Sequence, residues 1–105
     1  MLSVMNKTKW NELRLKMSAL EVHRPKWRTK DIESGHISEW YGDWYYHFEL
    51  GGFRYIEWVE LQTKDSIHHE LIRVELQKII LPGNEIKNGF RVYGHIADGQ
   101  FVEYI

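Results

Sequence analysis

The chain has 105 residues, of which 43% are hydrophobic and 28% charged, with a net charge of −1 and no cysteine. This length fits one domain with one core, the composition excludes a disordered chain, and the lack of cysteine excludes disulfides and thiolate metal sites. No apolar run approaches the roughly 20 residues that span a bilayer, and residues 1–10 lack the apolar stretch of a signal peptide. We therefore expect a cytoplasmic protein without a membrane segment, in which residues 1–105 form a single domain and residues 1–4 are a dispensable extension.

The charges are distributed unevenly along the chain. Residues 1–30 carry eight Lys or Arg and two Glu, whereas residues 31–105 carry six basic and thirteen acidic residues. Opposite charges within one chain can pair without a partner molecule. We expect the basic segment to dock on the acidic remainder. The alternatives are a basic face for an acidic partner, or an acidic face for a basic one.

The first predicted elements are a helix and a strand. Apolar residues recur at helical spacing from about Lys7 to Leu20, and Asn6 is a suitable N-cap for this helix. Pro25 prevents the helix from continuing. The segment PKWRTKDI that follows predicts a short strand with a strongly basic side.

The centre of the chain predicts a β-hairpin. The runs WYYHFEL and FRYIEWVEL flank Gly51 and Gly52, and two glycines favour a two-residue turn. Counting from this turn, one side of the ribbon pairs Leu50 with Phe53, Phe48 with Tyr55, Tyr46 with Glu57 and Trp44 with Val59. The other side pairs Glu49 with Arg54, His47 with Ile56 and Tyr45 with Trp58. The first side is predicted to be core, and the second is an apolar strip with a polar rim.

A second helix is predicted from about Ser66 to Ile79, with Asp65 or Ser66 as its cap. It has two adjacent apolar stripes that suit a helix lying against a sheet, the first formed by Ile67, Leu71 and Val74 and the second by Ile72, Leu76 and Ile79.

The C-terminal part carries two turn signals, Asn88 with Gly89 and Asp98 with Gly99. The second of them predicts that Ile96 pairs with Phe101. The order of all these elements predicts an α+β fold, an antiparallel β-sheet of about five strands with two helices packed against it.

Six histidines raise the question of a metal site. Residues 68–73, HHELIR, begin like the zinc-protease motif, but the position of the second histidine is Arg73, which cannot ligate zinc. We therefore predict no metal, no cofactor and no catalytic residue here.

Two hypotheses for the function remain open. The first is a non-enzymatic protein-interaction module, inhibitor- or immunity-like, whose aromatic sheet face binds a protein partner through Tyr45, His47, Glu49, Arg54, Ile56 and Trp58. In the alternative reading of this strip, a helix covers it as a second core layer. The second hypothesis is a small-ligand-binding protein or enzyme with a pocket around Trp44, Tyr46 and Glu57, in which a buried carboxylate acts as acid or base.

Other partners have weaker support from the sequence. The segment RPKWRTK mixes cations with a tryptophan, as nucleic-acid contacts do, but a pI near 6.6 argues against a nucleic-acid-binding protein. A homodimer formed between the basic segment and the acidic remainder is a further alternative, and salt should weaken it.

Several short motifs carry a resemblance to a known family. Trp10 with Leu13, then WRTKDIESG, GDWYYHF, IEWVE and GFRVYG, together resemble a small bacterial family that is described as a domain of unknown function. The likeness extends from about Lys9 to Ile105. It implies a bacterial protein, and it brings no activity, ligand or catalytic residue with it.

Overall fold

The computed structural model describes residues 1–44 and 52–105. These residues form two α-helices, one short 3₁₀ helix and six strands. In chain order they are β1 (Leu2–Ser3), α1 (Lys7–Ser18), the 3₁₀ helix (Glu21–His23), β2 (Lys26–Asp31), β3 (Ile56–Gln62), α2 (Ser66–Gln77), β4 (Gly83–Ile86), β5 (Gly89–Tyr93) and β6 (His95–Ile96). The predicted α+β fold is confirmed, with six strands in two antiparallel sheets where about five strands were expected.

Helix α1 begins where the sequence predicts and ends two residues before the predicted end. The Asn6 side chain accepts the backbone N–H of Lys9 at 2.8 Å. This bond satisfies one of the N–H groups that the start of every helix leaves unpaired. The inner side of the helix buries the predicted apolar residues Trp10, Leu13 and Met17.

The main sheet is antiparallel, with the strand order β2-β3-β5-β4. Strand β3 therefore has a partner on each edge, and Val59 lies opposite both Thr29 of β2 and Val92 of β5. The pairing of Val59 with Trp44 in the predicted hairpin is wrong, because both edges of β3 are occupied by other strands at this position. Residues 45–51, which make up most of the other half of that hairpin, lie outside the described residues.

Strand β6 also pairs differently from the prediction. Ile96 lies opposite Leu2 of β1, so the expected pairing of Ile96 with Phe101 is wrong. The end of the chain runs beside β4 instead, where the N–H of Ile105 donates to the carbonyl of Leu81 at 2.9 Å. Two of residues 1–4 thus form a strand, and their dispensability stays a prediction.

A two-residue turn joins β4 to β5, one position earlier than the turn signal. Ile86 lies opposite Gly89, so the turn residues are Lys87 and Asn88. Asn88 has a φ of 61°, which asparagine adopts more readily than most residues. Gly89 belongs to β5. Glycine is required there because a side chain would collide with the carbonyl group of Leu61.

The core lies between one face of the main sheet and the two helices. Side chains alternate along a strand, so every second residue of β3 and β5 points toward the helices. The C-terminal end of α2 lies beside α1, since Lys9 Nζ donates to the Ile79 carbonyl at 2.7 Å and Lys16 Nζ lies 3.8 Å from Glu75. Fully buried members of this core are Leu13, Met17, Val59, Leu61, Ile72, Leu76, Leu81, Phe90 and Val92.

Only the second of the two predicted stripes of α2 is buried along its whole length. Ile72 and Leu76 are fully buried, whereas Ile67 is 81% and Val74 44% exposed. A helix contacts a sheet through a limited arc, so two adjacent stripes cannot both be covered by it. The expectation that both stripes pack on the sheet is wrong for Ile67 and Val74, which remain on the surface, while Leu71 of the first stripe is partly buried against the core.

The basic N-terminal segment docks on the acidic remainder, as its charge predicts. Ion pairs between described residues that join the two parts include those between Lys16 and Glu75 (3.8 Å), Lys30 and Glu57 (3.5 Å), and Arg28 and Glu60 (2.8 Å).

Candidate functional site

Two of the three residues predicted to line a ligand pocket, Trp44 and Glu57, contact other residues of the fold. Trp44 is 1% exposed, its ring lies 5.9 Å from that of Trp27, and its indole N–H donates to the Pro25 carbonyl at 2.8 Å. Glu57 is half-buried in its ion pair with Lys30. The third residue, Tyr46, lies outside the described residues. The contacts of Trp44 and Glu57 are those of the fold, and a pocket around Tyr46 stays a prediction.

The aromatic strip predicted to bind a partner is not open at the residues that the structure describes. Trp58 is 6% and Ile56 8% exposed, so neither side chain offers the accessible area that a binding hot spot needs. Arg54 is exposed and lies over the Tyr55 ring, 5.5 Å from its centroid. The remaining predicted members, Tyr45, His47 and Glu49, lie outside the described residues.

Trp58 shares the outer face of the main sheet with a network of charges. Glu60, only 2% exposed, accepts hydrogen bonds from Arg28 Nε at 2.8 Å and from Arg91 Nη2 at 2.5 Å. The Arg91 guanidinium lies 4.7 Å from the centroid of Trp58, and Arg28 lies 4.6 Å from that of Trp40. A buried carboxylate is tolerated only with such partners, so these charges hold the face together.

The surface of α2 that points away from the core carries an apolar depression of about 510 Å³. We call Ile67, Leu71 and Val74 the outer stripe. These side chains line the depression together with Ser66, Glu70 and Glu75. Leu71 is partly buried and packs against the core, whereas Ile67 and Val74 are apolar side chains that the described fold leaves in solvent.

A polar cleft of about 470 Å³ adjoins this depression and shares Ser66 and Glu70 with it. Its volume lies within the roughly 300 to 1,000 Å³ that is typical of small-ligand sites. The start of α2, strand β4 and the turn after it supply the lining, which consists of Thr63, Asp65, Ser66, His69, Glu70, Arg73, Glu85 and Asn88.

His69 connects two other polar side chains of the cleft. The Thr63 hydroxyl lies 2.8 Å from Nδ1, and a Glu85 carboxylate oxygen lies 2.5 Å from Nε2. The Phe90 ring stacks on the imidazole at 4.4 Å and thereby fixes its plane. Because a carboxylate only accepts hydrogen bonds, Nε2 donates to Glu85, and Nδ1 on the other side of the ring can accept from the Thr63 hydroxyl. The result is a continuous hydroxyl–imidazole–carboxylate chain.

Arg73 holds the carboxylate end of this chain. Its Nη2 lies 2.9 Å from the Glu85 oxygen that His69 contacts, and its Nε lies 3.0 Å from Glu70. The hydrogen bonds from Arg73 and His69 lower the pKa of Glu85 below its ordinary value, because they favour the charged form. Within residues 1–44 and 52–105 no group of three or more His, Asp or Glu side chains is arranged to hold a metal ion.

A second carboxyl group with a lowered pKa belongs to Asp31, the last residue of β2. Asp31 accepts the backbone N–H groups of Ser34 and Glu33, each at 2.8 Å, and these bonds lower its pKa. A carboxyl group whose pKa is lower in the folded than in the unfolded chain stabilises the fold above the unfolded pKa of about 4. This contribution is lost as the pH falls through the folded pKa.

We therefore expect the Tm of the protein to fall as the pH is lowered below about 4. Thermal unfolding followed by circular dichroism at a series of pH values measures this fall. It should be smaller in the variants Asp31→Asn and Glu85→Gln, whereas Glu39→Gln, at an exposed glutamate outside the cleft, is the control. Parallel curves for all four proteins would contradict the assignment.

The sequence reasoning missed the cleft because it judged His69 by the failed zinc motif. One signal was available, since His69 and Arg73 are four residues apart and so lie on the same side of a helix. Their common partner Glu85 comes from β4, sixteen residues after His69. Only the packing of α2 against the sheet brings that carboxylate to the cleft.

Comparisons with known proteins place the chain in a family. Among the residues that the structure describes, no helix is long and apolar enough to cross a bilayer. Neither the curated proteins nor the solved structures contain a match to the chain. One family model, described as a family of unknown function (DUF6678), matches residues 1–99 and so covers every described helix and strand. The resemblance seen in the sequence motifs is thereby confirmed, and the chain belongs to the family DUF6678.

Proposed function

We propose that the protein is a protein-interaction module that binds a basic, amphipathic segment of a partner protein on the outer side of α2. The outer stripe carries this proposal. Ile67 is 81% and Val74 44% exposed, and Leu71 between them is partly buried against the core. Contiguous apolar side chains that a fold leaves in solvent at helical spacing are typical of surfaces that bind a partner segment.

The charges around the outer stripe select the partner. Glu75 already pairs with Lys16 at 3.8 Å and with Lys78 at 3.0 Å. Among the described residues, four carboxylates line the apolar depression and the polar cleft, whereas Arg73 is the one guanidinium in either lining. The Glu70 side chain between them is 64% exposed, and its ion pair with Arg73 is a surface pair of little strength. Lysine or arginine beside the apolar anchors is therefore favoured, and acidic segments are repelled.

The size of the surface favours a short segment over a second copy of the chain. A stable interface buries about 800 Å² on each partner, which is more than three side chains on one helix provide. An inhibitor- or immunity-like role in a bacterial cytoplasm belongs to the same proposal and rests on size and fold class alone.

Replacing both Ile67 and Val74 with glutamate is expected to abolish partner binding with almost no change in Tm, because solvent-exposed substitutions alter stability by at most about 0.5 kcal/mol. A displayed library of random peptides, selected on the wild-type protein and counter-selected on this variant, measures the effect. We expect enrichment of peptides with apolar residues three or four positions apart beside Lys or Arg.

The matched control is Leu15→Glu, at an apolar residue of α1 that is 58% exposed. The selected peptides should bind this variant as they bind the wild-type protein. Enrichment of acidic peptides, or peptides that bind the Ile67 and Val74 variant equally well, would sink the proposal.

A further inference from the structure

The polar cleft contains three side chains in the order that nucleophilic catalysis requires. A hydroxyl, an imidazole and a carboxylate are joined by contacts of 2.8 Å and 2.5 Å, and all three line a cleft of about 470 Å³. From this arrangement we propose that Thr63, His69 and Glu85 form an acyl-transfer centre that hydrolyses small esters. The proposal is independent of the partner surface, since none of these three side chains belongs to the outer stripe.

Each of the three residues is held in place by a contact outside the chain of hydrogen bonds, through the backbone for Thr63 and through the side chain for His69 and Glu85. The backbone N–H of Thr63 donates to the Asn88 carbonyl at 2.8 Å, which ties the end of β3 to the turn after β4. The imidazole of His69 is stacked on Phe90, and Arg73 anchors the carboxylate of Glu85. Such fixed orientation of base and nucleophile is what activates a weakly nucleophilic hydroxyl.

The reaction proceeds in two halves. In the first, Thr63 Oγ1 attacks the ester carbonyl carbon while His69 Nδ1 takes the hydroxyl proton, and Glu85 stabilises the imidazolium through Nε2–H. The C–O bond to the leaving alcohol then breaks, and the alcohol oxygen takes the proton from Nδ1. In the second half, water attacks the acyl-Thr63 ester and gives a proton to Nδ1, and that proton returns to Thr63 as the carboxylic acid leaves.

The cleft also holds groups that suit the negative charge of the tetrahedral intermediates. The Ser66 hydroxyl and the Asn88 carboxamide are neutral donors in its lining. Donors of this kind stabilise an oxyanion more than they stabilise the ground-state carbonyl. Thr63 is only 7% exposed, which restricts the acyl group to a small one.

Hydrolysis of p-nitrophenyl acetate by the full chain tests the proposal. We expect Thr63→Ser to retain activity, because it keeps the hydroxyl, and Thr63→Val to lose it, because it keeps only the shape. His69→Ala should lower kcat/KM about 100-fold or more, as the loss of a general base does. Peptide mass spectrometry of the wild-type protein, quenched during turnover, should locate an acetyl group on Thr63.

Circular dichroism and the Tm of each variant separate loss of chemistry from loss of fold. Thr63→Ser and Thr63→Val are the most informative pair, because each differs little in shape from the wild-type threonine. The proposal is overturned if the wild-type protein hydrolyses the ester no faster than buffer or if Thr63→Val is as active as Thr63→Ser. It is also overturned if acetyl groups are found on lysines or on His69 and none on Thr63. None of these results bears on peptide binding at the outer stripe.

Discussion

Replacing Glu60 with glutamine is expected to lower the free energy of unfolding by about 2 to 4 kcal/mol. The carboxylate is 2% exposed and accepts hydrogen bonds from both Arg28 and Arg91. Its loss leaves two guanidinium groups next to each other on the sheet without their counter-charge. Breaking a buried ion pair costs about 3 to 5 kcal/mol, and we expect less here because a third of each arginine side chain is in solvent.

Urea unfolding followed by tryptophan fluorescence measures this loss. Glu57→Gln is the matched control, because Glu57 lies on the same strand but pairs with a single lysine at 3.5 Å and is 20% exposed. Its substitution should cost less than about 1 kcal/mol. Equal losses in the two variants would show that burial of the carboxylate between two arginines contributes nothing of its own.

The elements that depend on contacts within one turn of the chain could be predicted from the sequence. Asn6 and Asp65 cap α1 and α2 as expected, since each accepts an N–H three residues further along. The helix positions follow from apolar spacing in the same local way. Bonds of this kind join residues only three positions apart, so no knowledge of the fold is needed to place them.

The strand partners could not be predicted, because alternation along a strand shows which side chains share a face and does not show which strand lies beside it. Gly51 and Gly52 indicate a turn between neighbouring runs, but β3 pairs with β2 and β5, which are distant in sequence. The same limit applies to α2. Its two apolar stripes look alike in the sequence, and only the position of the sheet decides that Ile67 points into solvent.

The two candidate sites differ in how far the sequence alone could reveal them. The helical spacing of the outer stripe could be read from the sequence. Only its exposure had to be learned from the structure. The chain Thr63, His69 and Glu85 was not visible, because its members come from the end of β3, from α2 and from β4. The spacing of residues in a sequence predicts a group of neighbouring side chains only when one helix or strand carries all of them.

Replacing Trp44 with alanine is expected to lower the free energy of unfolding by about 3 to 5 kcal/mol, the range for removal of a buried aromatic side chain. The ring is 1% exposed and packs against Trp27, so its loss leaves a cavity. Trp44→Phe should cost less, because an aromatic ring still fills most of the space. Its remaining cost includes the lost hydrogen bond from the indole N–H to the Pro25 carbonyl.

Chemical unfolding of both variants, with Trp40→Ala as the control, separates the two roles that the sequence left open for Trp44. Trp40 is only half-buried beside Arg28, so its truncation should cost clearly less than that of Trp44. A core residue gives the order Trp44→Ala, then Trp44→Phe, in falling destabilisation. A Trp44→Ala chain as stable as the wild-type protein would refute the core assignment, because a ring that contacts only a bound ligand adds nothing to the stability of the free protein.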